Sequence, residues 1–246
     1  LDADPPADSP LWEIGMGGGA TFTPDYPGSD QSHLWAIPFP YAIYRGEIVH
    51  SDRRGGTRAR FFRSAGYEFN VSGAGGLPSS SAKNVTREGM PDLEWVGELG
   101  PRLMVDIMQN PEGKLLRFGL PVRAVLSTNG HHLRDQGFMF APELLYDHPN
   151  LFDTRADAFV LVSVNFADRR FSSYYYGVEP EFATGIRPAF SAKAGYLLTS
   201  LNMGVSFPVV DPGLKLFLFS SFQTLEGAAN QDSPLFRSRF NSSISM

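Results

Sequence analysis

The sequence predicts one closed antiparallel β-barrel of about twelve membrane-spanning strands, with charged and small residues lining its lumen. Three observations support this fold class: apolar and polar residues alternate along the chain, several alternating segments exceed ten residues, and long connections alternate with short ones. Successive side chains of a strand point to opposite faces, so alternation produces one apolar and one polar face. Strands of ordinary sheets have about five or six residues, whereas strands of about ten can cross a bilayer at a tilt.

The clearest example is a hairpin between residues 93 and 126. Its first strand alternates apolar residues such as Leu103 with polar residues such as Arg102. After a turn at residues 110–113, the second strand alternates in the same way around Arg117. Two alternating strands joined by a short turn form an antiparallel hairpin.

The same alternation supports further strands along the chain. Apolar residues share one parity in four of them: Trp35, Ile37, Phe39, Tyr41 and Ile43; Tyr67, Phe69 and Val71; Ala156, Ala158, Val160, Val162, Val164 and Phe166; and Leu201, Met203, Val205 and Phe207. The twelve candidates lie at residues 12–22, 34–44, 46–52, 56–63, 66–77, 93–108, 114–127, 138–147, 155–167, 190–209, 213–225 and 237–246. Merging the two strands between 46 and 63 would lower the count and exchange the sides of the later loops, so twelve strands are preferred. No segment shows a helical period, and no helix is predicted.

The connections provide an independent test. Outer-membrane barrels have short turns at one end and longer loops at the other. With both termini at one end, the long connections all fall at the opposite end: residues 23–33, 78–92, 128–137, 168–189 and 226–236. The turn at residues 53–55 fits poorly, because it falls at the long-loop end and is short.

Prolines 38, 40, 101, 121 and 142 fall inside predicted strands. Proline lacks the N–H group that a ladder needs and normally lies at a sheet edge or a bulge. A closed barrel has no edge, so local bulges are expected at these positions.

Composition excludes several classes of protein. Apolar residues make up 42% of the chain, which is too many for a disordered protein, and no apolar run reaches the roughly 18 to 20 residues of a spanning helix. The absence of cysteine excludes disulfides, thiolate catalysis and cysteine-based zinc sites. A net charge of −5 gives no indication of nucleic-acid binding.

Residues 1–11, rich in Pro and Asp, are predicted to be a mobile lead-in that follows a removed signal peptide, and residues 12–246 to be a single barrel domain.

Several segments resemble one known family. They read TPDYPGSD at 23–30, PFPYAIYRGE at 38–47, YYYGV at 174–178, RPAFSAKAGY at 187–196 and DSPLFRSRF at 232–240. In this order and spacing they resemble the MipA/OmpV family of MltA-interacting outer-membrane proteins, from about Trp12 to Met246.

The resemblance implies a Gram-negative outer-membrane barrel without catalytic activity. It implies a scaffold that links a murein lytic transglycosylase (MltA-like) to a bifunctional penicillin-binding protein, in contact with outer-membrane lipid and lipopolysaccharide. A narrow outer-membrane channel or porin and a surface adhesin are the alternatives.

Charged residues on the inward parity form the main candidate site. Isolated buried charges are very costly, so these groups must be paired or hydrated. They could form a mutually neutralising network, line a hydrated pore or contain a catalytic carboxylate pair, and the mixed signs on adjacent strands favour neutralisation. The predicted lumen network consists of Glu94, Glu98, Arg102, Asp106, Arg117, Arg123, Glu143 and Asp157, with Asp147 on the same face.

Two surface sites are also candidates. Tyr174, Tyr175 and Tyr176 lie in the longest predicted loop, where tyrosine could serve recognition, or the loop could fold inward and cap the lumen. Arg53 and Arg54 lie at the predicted outer rim, where guanidinium groups could hold lipopolysaccharide phosphates or act as ordinary rim charges.

No catalytic, cofactor or metal site is predicted. His131 and His132 are adjacent in a predicted loop, but nucleophilic catalysis needs a nucleophile held against an oriented base, and two ligands do not make a metal site. Gly15, Gly17 and Ala20 match a loose dinucleotide fingerprint without the helix that such a site requires.

Overall fold

The protein was analysed as a computed structural model, which describes residues 12–44, 49–52, 56–64, 66–210 and 214–246. The predicted lead-in at residues 1–11 and the candidate lipopolysaccharide contact at Arg53 and Arg54 lie outside the described residues.

The described residues form an antiparallel sheet of thirteen strands with one α-helix. The strands are β1 (Trp12–Pro24), β2 (Ser32–Tyr44), β3 (Val49–Asp52), β4 (Gly56–Ser64), β5 (Tyr67–Gly76), β6 (Trp95–Gln109), β7 (Leu115–Thr128), β8 (Leu133–Phe140), β9 (Glu143–His148), β10 (Asp157–Ala167), β11 (Gly195–Val210), β12 (Leu214–Thr224) and β13 (Phe240–Ser245). The helix is α1 (Arg169–Tyr176), and short 3-10 helices occupy Ser81–Lys83, Val85–Arg87, Leu151–Asp153 and Pro180–Phe182. The predicted all-β antiparallel fold class is confirmed.

Strands β8 and β9 are two halves of one interrupted strand. Both pair with β7 and with β10, and the register is the same on either side of the break at residues 141–142. Across the break, Ala141 N donates to Pro121 O at 3.2 Å and Val164 N donates to Pro142 O at 3.0 Å. The thirteen strands therefore occupy twelve positions in the sheet, the number that the sequence predicts.

The sheet curls until its two ends approach each other. Consecutive strands pair except β2 with β3 and β8 with β9, β13 pairs with β1, and the hydrogen-bonded order of the described residues ends at β2 on one side and β3 on the other. Strands β2 and β3 nevertheless lie in contact, and the ring centroids of Trp35 in β2 and Trp95 in β6 are 6.4 Å apart. This arrangement is consistent with a β-barrel.

The outer face of the sheet is apolar and the inner face is polar. In β7, Arg117, Arg123 and Ser127 are buried on the inner face. Large apolar side chains are exposed on the outer face, among them Leu99, Leu103, Ile107, Val122, Phe138, Leu144, Val162, Leu201, Met203, Leu218, Phe222 and Ile244. A sheet with this inverted polarity places apolar side chains where lipid would contact them.

The loops divide the molecule into two ends. Residues 25–31, 77–94, 168–194 and 225–239 lie at one end, which we call the loop end, and the turns at residues 110–114 and 149–156 lie at the other, the turn end. The apolar core lies beneath the loops and comprises Val96, Val125, Met139, Ala141, Ala167, Phe171, Tyr176, Ala192, Leu197, Leu198, Leu225 and Ala228. The prediction of a long loop at residues 128–137 is wrong, because β8 already begins at Leu133.

The prediction of no helix is wrong at α1. Asp168 caps this helix by accepting a hydrogen bond from Phe171 N at 2.8 Å. Gly137, whose φ is +99°, lets β8 approach the cap, because a Cβ there would lie 2.7 Å from Asp168 Cγ. A helix of eight residues spans only about two turns, which is too short to show a period. Among the described residues, no helix is long and apolar enough to cross a membrane.

The prediction of a local bulge is wrong at each of the five prolines. The β1–β2 register runs unshifted through Pro38 and Pro40. Among the described residues no strand is hydrogen-bonded to the other side of β2, so a missing proline donor on that side would break no ladder bond. Register is also unshifted through Pro101 in the β5–β6 ladder, around Pro121 and around Pro142. The shifts lie elsewhere, as between Asp106 and Met108 and between Pro208 and Val210.

Strands β6 and β7 approach most closely at Gly100. A Cβ there would overlap Val122 O and would lie 2.8 Å from Arg123 Cα. We expect Gly100→Ala to lower the free energy of unfolding by about 1 to 3 kcal/mol, since the backbone would have to move apart. The check is the temperature at which heat-modifiable gel migration of the detergent-solubilised protein is lost.

Gly97→Ala is the matched control, because a Cβ on Gly97 in the same strand would meet nothing within 4 Å. Equal transition temperatures for the two variants would contradict the close approach of β6 and β7 at Gly100.

Candidate functional site

A network of buried charges joins β6, β7 and β9 inside the sheet. Arg102 Nη1 lies 3.1 Å from Glu143 Oε1, and Arg117 Nη2 lies 3.1 Å from Asp147 Oδ2. Arg123 reaches two carboxylates, with Nη1 3.4 Å from Glu98 Oε2 and Nη2 4.0 Å from Glu143 Oε2. The strands are neighbours and each of these residues has the inward parity, so alternation alone brings them together.

Strand β5 extends this network with three polar residues that the sequence analysis did not include. Arg102 Nε donates to Asn70 Oδ1 at 3.1 Å, and Asn70 Nδ2 donates to Glu68 Oε1 at 2.6 Å. Arg123 Nε donates to Ser72 Oγ at 3.0 Å. The signal that could have identified them is present, since all three oppose the apolar face of Tyr67 and Phe69.

The network is almost completely buried, with Arg117 only 5% exposed. Breaking one member of a buried ion pair leaves an uncompensated charge and costs several kcal/mol. Positive and negative side chains contact each other here. This arrangement is expected when charges neutralise one another, whereas a selective pore is lined by a ring of charges of one sign.

Three predicted members make none of the ion pairs described above. Glu94 is at the loop end, where Oε1 is 2.8 Å from His132 Nε2. Asp106 is only partly buried and is the strand partner of Arg117, and Asp157 begins β10 and accepts a hydrogen bond from Asn150 N at 3.2 Å. Parity places a residue on the inner face but does not by itself determine its contacts, so the grouping of these three with the others stays a prediction.

Glu94 also separates the residues of a possible catalytic site. Ser127 Oγ donates to Glu94 Oε2 at 2.8 Å, while His132 bonds the other oxygen of the same carboxylate. The carboxylate thus stands between the serine and the histidine, whereas nucleophilic catalysis requires the histidine to accept the serine proton. Within the described part of the chain, no three His, Cys, Asp or Glu residues are grouped to hold a metal ion.

The tyrosines of α1 are folded inward. Tyr176 is fully buried, and its hydroxyl donates to Pro27 O at 2.9 Å. The Tyr174 hydroxyl accepts from Glu94 N at 2.7 Å, and burial raises the pKa of Tyr174 to about 12. The prediction of an exposed recognition loop is wrong, because these rings fill the space beneath the loops, which is the alternative that the sequence left open.

Two buried arginines connect the loops, and the sequence analysis missed both. Arg187 Nη1 donates to Thr86 O and to Glu88 O, each at 2.9 Å, and its Nη2 donates to Phe182 O at 2.9 Å. Arg87 Nη1 donates to Tyr175 O at 3.2 Å. Single arginines in loops carry no periodic signal, so nothing in the sequence distinguishes them from solvated charges.

The other two long loops join the same assembly through Tyr26 and Gly28. The Tyr26 hydroxyl donates to Leu235 O at 2.8 Å, the ring packs under the Arg87 guanidinium at 5.6 Å, and burial raises the pKa of Tyr26 to about 12. Gly28, with φ +86°, donates from its N to Asn241 Oδ1 at 2.6 Å. We call residues 25–31, 77–94, 168–194 and 225–239 together the loop cap.

Comparison with known proteins identifies the family. A family model described as "MltA-interacting protein MipA" matches residues 16–246. The chain belongs to this family. The match covers the sheet, the charge network and the loop cap, and it confirms the resemblance found in the sequence. No curated protein and no solved structure gives a significant match to the chain.

In this MipA-family chain, Glu143 contacts both Arg102 and Arg123. We expect Glu143→Gln to lower the free energy of unfolding by about 3 to 5 kcal/mol, because two buried arginines lose their shared countercharge. Urea unfolding in lipid vesicles measures the change.

Glu226→Gln is the control for this experiment. Glu226 pairs with Arg239 at 3.2 Å, but both side chains are more than half exposed, so the expected change is about 1 kcal/mol or less. Similar losses in the two variants would show that the interior network contributes no more than a surface pair.

The stability of the loop cap in this family member should also depend on the forked guanidinium group of Arg187. We expect Arg187→Lys to raise the rate of proteolysis of the folded protein within the cap by about tenfold or more, because lysine keeps the charge and loses several charge-assisted bonds of about 1.5 to 3 kcal/mol each. Limited proteolysis with mass spectrometry locates the cuts.

The matched control is Arg170→Lys, since Arg170 is exposed and pairs with exposed Asp135. Cleavage of Arg187→Lys at the rate of the Arg170 variant would mean that Arg187 does not hold the cap.

Proposed function

We propose that this chain is an outer-membrane β-barrel scaffold that holds peptidoglycan-remodelling enzymes at the inner side of the outer membrane. The partners are an MltA-type lytic transglycosylase and a bifunctional penicillin-binding protein. The family match over residues 16–246 carries this proposal.

The inverted polarity of the sheet supports a membrane location. A soluble protein of this size would not expose so many large apolar side chains on so many strands as the described part of this sheet does. In a bilayer the same residues contact lipid, while the inner face keeps its ion pairs away from the hydrocarbon.

The paired charges and the loop cap inside the described sheet support a scaffold over a channel. The charge network occupies the middle of the sheet, and the loop cap packs against the apolar core at the loop end. An ion crossing the lumen would have to displace paired arginines and buried tyrosines. The channel alternative predicts stepwise conductance in planar bilayers, and the scaffold predicts none.

The turn end offers the surface for a periplasmic enzyme. Phe152 in the turn between β9 and β10 is 84% exposed and has φ +52°. Asn150 and Asp153 beside it also have positive φ. A bulky residue rarely adopts this conformation, and such strain is concentrated at functional sites. Exposed aromatic rings are the usual anchors of protein interfaces, so we assign Phe152 to enzyme contact.

The test is binding of a purified MltA-type transglycosylase to the chain in lipid nanodiscs, measured by biolayer interferometry. We expect saturable binding, and Phe152→Ser should weaken it by about tenfold or more, since an interface aromatic can contribute about 2 kcal/mol.

Ile186→Ser is the control, because Ile186 is 95% exposed at the loop end, on the opposite side of the membrane. It should bind like the unaltered chain. Failure of the unaltered chain to bind would refute the scaffold proposal, whereas normal binding by Phe152→Ser would refute only the assignment of Phe152.

A further inference from the structure

A cavity of about 350 Å³ lies inside the sheet between the loop cap and the charge network. Its walls come from eight strands, β1, β5, β6, β8, β10, β11, β12 and β13, and Tyr26, Phe171 and Tyr175 of the cap contribute to its lining. Ligand sites have volumes of about 300 to 1,000 Å³, so this cavity has the size of a site for a small molecule.

Three polar groups on the cavity wall can still form hydrogen bonds with a ligand. Among the described residues, the Gln223 side-chain amide and the Tyr175 hydroxyl make no hydrogen bond, and neither is sealed away from the cavity. The Tyr175 hydroxyl lies beside Gly76, which also lines the cavity. Glu98 uses Oε2 for Arg123, which leaves Oε1 as an acceptor.

These groups select for a ligand that both donates and accepts hydrogen bonds. An amide and a hydroxyl can each donate and accept, whereas a carboxylate only accepts. The amide of Asn165 adds an acceptor, because its Nδ2 already donates to Ser163 Oγ at 3.0 Å. A hydroxyl group can both donate and accept, so a molecule rich in hydroxyl groups can form a hydrogen bond with each of these polar groups.

The charges of the cavity disfavour an ionic ligand. The charge of Glu98 is already balanced by Arg123, whose guanidinium also donates to Ser72. Asp25, the other carboxylate of the lining, is bonded through Oδ1 to His33 and through Oδ2 to Asn84. A cation would therefore find each lining carboxylate already paired, and an anion would face the Glu98 oxygen. The rings of Tyr26, Phe171 and Phe219 provide apolar surface beside the polar groups, which suits the C–H face of a sugar ring.

We propose that this cavity binds a small neutral polyhydroxylated molecule of about the size of a monosaccharide. The site is separate from the turn-end surface assigned to enzyme contact, so it adds a ligand to the scaffold and does not depend on the scaffold role.

The test is isothermal titration calorimetry on the full chain in lipid nanodiscs. The neutral probes are glucose, galactose, mannose and N-acetylglucosamine, and the charged counterparts are glucosamine and glucuronate. At least one neutral sugar should give saturable heat, and its charged counterparts should bind at least about tenfold more weakly, because burying an unpaired charge is costly. Binding by none of the neutral sugars, or equally tight binding of the charged ones, would overturn the proposal.

Gln223→Leu locates the site. Gln223 makes no hydrogen bond within the described chain, so its replacement removes no internal contact of this kind. Affinity for the neutral sugar should fall at least about fivefold through loss of one hydrogen bond, and Tyr175→Phe should act in the same direction.

Gln136→Leu is the matched control, because Gln136 donates to Ser127 and is not part of the cavity lining. It should leave affinity unchanged, and heat-modifiable migration verifies that all three variants are folded. Unchanged affinity in Gln223→Leu would place the sugar elsewhere and overturn the assignment.

Discussion

Lipid cannot accept or donate hydrogen bonds, and this constraint governs both the sheet and what the sheet encloses. Each backbone N–H and C=O in the apolar layer must find its partner in a neighbouring strand. The sheet therefore continues through thirteen strands until β2 and β3, which are consecutive in the chain, form its two ends.

Placing apolar side chains outside forces polar side chains inside, and they must then satisfy one another. Arg102, Arg117 and Arg123 meet this requirement through carboxylates on neighbouring strands. The loop cap meets it differently, because Arg187 and Arg87 are held by backbone carbonyl groups of distant loops. One half of the interior is thus stabilised by ion pairs across strands, and the other by arginines that bind main-chain oxygens.

These two solutions leave different surfaces available for function. The charge network and the cap fill most of the lumen, so transport of ions is not what this interior favours. What remains is a small polar cavity between them, near Glu98 and Gln223, and an exposed aromatic residue, Phe152, at the turn end. The proposed scaffold role would use the second surface, and the cavity is the proposed site for a small molecule.

The sequence alone determined most of the strands, their faces and the inward position of the central charges. Alternation is a local property, so the parity of Arg117 or Glu143 is visible without knowledge of the fold. It also shows Glu68, Asn70 and Ser72 on the inner face, although their place in the network depends on β5 lying beside β6.

Only the tertiary structure decided the height of each residue along the sheet and the path of the long loops. Glu94 precedes β6 and bonds His132 at the loop end, Asp157 begins β10, and Asp106 lies opposite Arg117 in the β6–β7 ladder. The contacts of Arg187 and Tyr176 join residues that are 101 and 149 positions apart in the sequence. No local period encodes such contacts, because they arise only when the curled sheet brings those loops together at one end.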